Sequence, residues 1–121
     1  MQIIDFRHNY DKLNNNEFTT IRGKGWFKRI QVDDKVSISV MHRFLYVAEI
    51  IGVQPWKIWN IAIETLRQDT KYPGFELGKG TEHEDFVSLM NSFYPRSLYP
   101  NAMVDVNSDV CLLVIRRLKD D

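Results

Sequence analysis

Residues 36–53 constrain the fold more than any other stretch. Val36, Ile38 and Val40 alternate with Ser37 and Ser39, the two-residue period of a strand with one buried and one wet face. Residues 44–53 then run apolar on both faces except at Glu49, the pattern of a central strand or of one wall of a closed barrel. Two successive strands with no helical stretch between them break βαβ alternation, so a doubly wound parallel sheet is not expected.

The remaining segments are read against that pair. Residues 1–6 form a strand with Ile3, Ile4 and Phe6, and Tyr10 to Leu13 suit a helical turn closed by three asparagines. A short strand follows at 18–22. Asp33 and Asp34 give turn chemistry between Val32 and Val36. His42 continues the apolar parity of Val36, Ile38 and Val40, as a satisfied histidine at a barrel end would. Pro55 suits the first turn of a helix, with Lys57, Asn60, Glu64 and Arg67 as its polar stripe and Trp59, Ala62, Ile63 and Leu66 as its buried one. Thr81 and Glu84 match a capping box, and Phe86, Leu89, Met90 and Phe93 repeat at helical spacing until Pro95. A loop over 100–107, with a short strand at 102–106, leads to a last strand at 110–118. The expected fold is α+β: a small mixed β-barrel with two main helices packed against it, in one domain over residues 1–121.

Length and composition narrow the function classes. A chain of 121 residues with 44% hydrophobic content builds a core without disulfide or metal staples. Cys111 is the single cysteine and lies in an apolar run, which points to a buried structural thiol. His8, His42 and His83 have no ligand spacing, so neither a metal site nor a cofactor is expected. No window is apolar enough to span a bilayer and no signal pattern follows Met1, so a soluble, cytoplasmic protein without a membrane partner is expected. Net charge is zero, yet its distribution is uneven. Arg22, Lys24, Lys28, Arg29, Lys35 and Arg43 face only Asp33 and Asp34 in their segment, either a basic patch for a phosphate backbone or a solvated surface.

The chemistry concentrates in residues 14–29. Strand alternation puts Phe18, Thr20 and Arg22 on one face, so a hydroxyl and a guanidinium point the same way, and Glu17 falls opposite. A guanidinium grips phosphate or a base edge bidentately, and a neighbouring hydroxyl adds an adaptable contact. Lys24 between two glycines resembles a phosphate contact on a mobile loop, although it is no P-loop. Trp26 and Phe27 either stack bases or anchor that loop in the core. Lys28 and Arg29 complete a cationic rim, and Tyr94 either presents its hydroxyl to a cleft or packs at a helix end.

The run Asn15-x-Glu17-x-x-Thr20-x-Arg22, the Val-Asp-Asp-Lys-Val turn and a late helix ending in Phe93-Tyr94-Pro95 together resemble the ASCH domain of the PUA-like superfamily. The resemblance implies a β-barrel with a cleft between barrel and helices, and RNA or a modified nucleoside as partner. A small branch of that superfamily hydrolyses acetylated cytidine with a lysine, a threonine and a glutamate. Carried over, the threonine is Thr20 and the signature arginine is Arg22. The lysine position holds Glu17, which inverts the charge and cannot serve as an oxyanion-holding cation. The glutamate position falls near Lys79, with Glu82 and Glu84 close by.

The expected function is therefore binding of RNA or a nucleotide-like ligand through Thr20, Arg22, Lys24, Trp26, Lys28, Arg29 and Tyr94. The alternative is a divergent amidohydrolase or nuclease acting on modified nucleosides, with Thr20, Glu17 and Glu84 as its catalytic candidates. A protein partner meeting Trp56 and Trp59 is a third class.

Overall fold

The structure, a computed structural model, describes residues 1–93 and 103–119. Five strands, β1 (Gln2–Phe6), β2 (Glu17–Gly23), β3 (Lys35–Val40), β4 (Arg43–Lys57) and β5 (Asp109–Arg117), make one mixed sheet in the order β1-β3-β4-β5-β2. Only β1 and β3 run parallel, and the other three pairings are antiparallel. Two helices follow β4 in the chain, α1 (Ile63–Thr70) and α2 (Glu82–Phe93). The α+β class and the two main helices stand as expected, built on a curled five-stranded sheet.

The pleat separates two cores. Ile4 and Phe6 of β1, Phe18 of β2, Val36 and Ile38 of β3, Tyr46, Ala48 and Ile50 of β4, and Cys111, Leu113 and Ile115 of β5 fill the inside of the curl. A 3₁₀ turn at Asp11–Asn14 closes one end of it with Leu13, whose carbonyl accepts the Tyr46 hydroxyl at 2.8 Å. On the other face Val110 joins Ile58, Ile61, Leu66, Leu77 and Phe86 beneath the helices. Strand β5 is thus buried on both faces, as its unbroken apolar sequence demands. Cys111 is fully buried, and burial pushes its thiol up to about 11, which suits a structural role.

Strand β4 carries a bulge between Ile50 and Gly52. A Cβ at Gly52 would lie 3.0 Å from Val114 Cγ2, so glycine lets the neighbouring strand close in.

Four local expectations are corrected. Pro55 does not open a helix: β4 runs on to Lys57, and Ile58–Asn60 form a 3₁₀ turn before α1. Beyond Glu49 the strand pairs with β5 alone, and a residue without an N–H is tolerated where one side of a strand is open. Trp59 is consequently 53% exposed and Ile63 is exposed with it, leaving Leu66 as the buried member of the proposed stripe. His42 is no barrel-end histidine: its side chain is 93% exposed in the two-residue β3–β4 turn, with φ of 49° at Met41 and 67° at His42. Thr81 meets Asp85 rather than Glu84, donating to Asp85 Oδ2 at 2.9 Å. Residues 103–106 form no strand, and residue 102 and Pro95 lie outside the described residues.

Candidate functional site

The two edge strands approach each other, and the second half of β2 is where the chemistry sits. Period-two alternation turns Phe18, Thr20 and Arg22 inward together, with Phe18 and Thr20 buried. Arg22 Nε donates to Thr20 Oγ1 at 3.3 Å, and its Nη2 donates to the Asp5 carbonyl of β1 at 3.1 Å. The same guanidinium carbon lies 4.8 Å from the Phe6 ring centre and 5.5 Å from that of Trp26. Arg22 therefore ties one sheet edge to the other as well as facing the cleft they leave.

That cleft measures about 110 Å³ and has α2 as its far wall, through Phe86, Leu89, Met90 and Phe93. Its polar lining includes Asp5, Arg7, Lys12, Thr20, Arg22 and Asp69. Lys12 and Asp69 form a buried ion pair, Nζ to Oδ1 at 3.4 Å, with each side chain only 3% exposed. Lys12 also donates to the Thr19 carbonyl at 2.8 Å, and the Thr19 hydroxyl donates to Asp69 Oδ1 at 2.5 Å. Burial pushes the Lys12 ammonium down to about 8, against the pull of Asp69. Burial likewise raises the Asp69 carboxyl, opposed by Lys12 and Thr19.

Asp5 is held by a different set. Its Oδ1 accepts the Ser39 hydroxyl at 2.5 Å and the His42 amide at 2.9 Å. Burial works to raise its carboxyl, and those donors outweigh it, leaving the group below its ordinary range. On the opposite wall Arg7 Nη2 donates to the Phe93 carbonyl at 3.0 Å, with its guanidinium over the Phe93 ring.

A second, wider cavity of about 550 Å³ adjoins the first, and Gly23 and Met90 line both. Lys24, Trp26 and Arg29 line it, along with Asn107 and Asp109. Residues Lys24–Lys28 fold as a 3₁₀ turn instead of an open loop. Trp26 packs partly against the core, while the Arg29 guanidinium lies 4.5 Å from its ring centre. Phe27 is exposed.

The sequence-derived candidates thus separate. Thr20 and Arg22 share the small cleft, and Lys24, Trp26 and Arg29 share the groove beside it. Lys28, Glu17 and Glu84 are exposed and line neither cavity. Glu82 is committed to holding α2 on α1, accepting from Arg67 Nη2 at 2.6 Å. Tyr94 lies outside the described residues. No cluster of His, Cys, Asp or Glu able to hold a metal occurs among the described residues. Among them too, no helix is long and apolar enough to cross a membrane.

Sequence reasoning missed Asp5, Arg7, Lys12 and Asp69. One signal was present: continuing the buried stripe of α1 one turn past Leu66 arrives at Asp69 and Thr70, both buried.

Fold and cleft together define a small α+β protein with a charged cleft between the edges of a curled mixed sheet. No family model matches the chain, and no solved structure matches it. A protein of Methanocaldococcus jannaschii, described as "Uncharacterized protein MJ0364", is 39% identical over 94 residues, covering 76% of this chain and 79% of its own length. The chain belongs to the family of that archaeal protein.

Proposed function

We propose that the curled sheet is a PUA-like barrel of the ASCH type, and that the protein binds single-stranded RNA or a nucleotide through its two adjoining cavities. The single observation that carries this is their adjacency, with Gly23 and Met90 lining both. A cleft sized for one ring lies beside a groove where Lys24, Arg29 and Trp26 stand together. Single-strand binders combine those same parts, cations tracking the backbone and aromatic faces stacking bases, with a pocket that reads one unstacked base. Net charge of zero is compatible with this, because the cations are local to the groove.

The test is a titration of fluorescently labelled single-stranded RNA at several salt concentrations, with a Lys24→Ala/Arg29→Ala double variant alongside. Each phosphate contact adds about −0.7 to the slope of log affinity against log salt for a single strand. Removing two contacts should flatten the slope by about 1.4. An affinity indifferent to salt and to the double variant sinks the proposal.

Hydrolysis of an acylated nucleoside is a second role, favoured by one observation. The Lys12 amine, brought down to about 8 by burial, lines the same cleft as the Thr20 hydroxyl. The deprotonated fraction of that amine, which grows as pH approaches 8, can accept a proton. Turnover of an N-acetylated cytidine, lost on Thr20→Ala, would favour this role over binding alone.

A further inference from the structure

Asp69 has one oxygen accounted for and one that is not. Its Oδ1 accepts from Lys12 and from Thr19. Its Oδ2 is buried and has no hydrogen-bond partner among the described residues. An unsatisfied buried acceptor is costly, more so on a carboxylate, and such groups call for a specific reason. Asp69 lines the small cleft, so a group entering that cleft is in a position to supply the missing donor.

The charge pattern says what sort of group that is. Lys12, Arg22 and Arg7 line the cleft with donors, and Asp69 and Asp5 line it with carboxylates, of which Asp69 is the buried one. A phosphate at Asp69 would meet a carboxylate, whereas the neighbouring groove offers it Lys24 and Arg29. The edge of a neutral heterocycle carrying an exocyclic amino group fits beside Asp69 better. Among nucleobases, adenine and cytosine present an exocyclic amino group where hypoxanthine and uracil present a carbonyl oxygen. Carboxylates accept hydrogen bonds from such amino groups.

Resting on the nucleotide-binding role proposed above, we infer that Asp69 Oδ2 accepts a hydrogen bond from the exocyclic amino group of a base held in the cleft. Asp69 is then the residue by which the protein tells amino bases from keto bases. A carbonyl oxygen in the same place leaves two acceptors facing each other, and a site built to pair with a donor rejects the analogue that lacks it.

Calorimetric titration of the native chain tests this with two matched pairs, cytidine against uridine 5′-monophosphate and adenosine against inosine 5′-monophosphate. At least tenfold tighter binding of the amino member in one pair is expected. Asp69→Asn should bring that pair within about threefold if it folds, since its amide presents a donor as readily as an acceptor. The native comparison stands whether or not the variant folds. Equal affinity within both pairs overturns the inference and leaves nucleotide binding in place; a resident water satisfying Oδ2 would give that result. Failure of all four nucleotides and of single-stranded RNA to bind removes the binding role, and the inference with it.

Discussion

Lys12 Nζ and Asp69 Oδ1 lie 3.4 Å apart, on segments separated by 57 residues, with each side chain 3% exposed. A pair so deeply buried is a poor way to stabilise a small protein. Desolvating both ions costs about as much as their attraction returns, and apolar replacements of similar volume often do better. Its position on the wall of the cleft gives it another use.

Two stability measurements separate these roles. Asp69→Ala strands a buried ammonium and should cost about 3–5 kcal/mol. The Lys12→Met/Asp69→Leu double variant should fall within about 1 kcal/mol of the native protein or exceed it. Urea denaturation of Lys12→Met, Asp69→Leu and the double gives the coupling directly. The double variant should still lose ligand binding, and retention of binding would separate the pair from the site.

The pH dependence follows from the sign of the Lys12 shift. Its folded value of about 8 lies below the ordinary lysine value of 10.5. The unfolded chain therefore binds more protons between those two values, so this group's contribution to stability rises with pH across that window. Cys111 works the other way between 9.0 and about 11, because its folded thiol keeps the proton that the unfolded one loses. Binding isolates Lys12: affinity for an anionic ligand should fall as pH passes about 8. An NMR titration of labelled lysine side chains should show one midpoint near 8, and a common midpoint near 10.5 for all of them would contradict the burial argument.

Arg22 joins β2 to β1 through the Asp5 carbonyl, so its replacement affects more than ligand contact. Arg22→Ala should lower stability by about 1.5–3 kcal/mol, the usual worth of a hydrogen bond to a charged group. Arg22→Lys keeps the charge but not the planar fork that reaches Thr20 and Asp5 together, and should recover only part of the loss. An unchanged denaturation midpoint for the alanine variant would remove the edge-to-edge role.

The β3–β4 turn offers a gain. Met41 and His42 both hold positive φ, a conformation that side chains other than glycine and asparagine adopt at some cost. Met41→Asn/His42→Gly should stabilise the fold by about 1 kcal/mol or more. The backbone N–H that Asp5 accepts from residue 42 is retained. A lower melting temperature would show that the His42 side chain contributes to holding Asp5.

Legibility followed the physics of each signal. The alternation of Val36, Ile38 and Val40 and the unbroken run of β5 fixed their strands, because period-two burial is written locally. The same parity brought Thr20 and Arg22 to one side. Pro55 misled because a prolyl residue suits a helix start and a half-open strand equally, and only the partner of β4 decides between them. Lys12 and Asp69 were missed because a charged residue carries no local mark of burial. What buries them is the docking of α1 against β2 and the preceding 3₁₀ turn.

The central claim is that one ligand occupies both cavities, and amide chemical-shift mapping during titration with single-stranded RNA tests it most directly. Perturbations grouped on Thr20, Arg22 and Asp69 and, together with them, on Lys24, Trp26 and Arg29 are predicted. Perturbations confined to residues outside both cavities, Trp56 and Trp59 for instance, would contradict it.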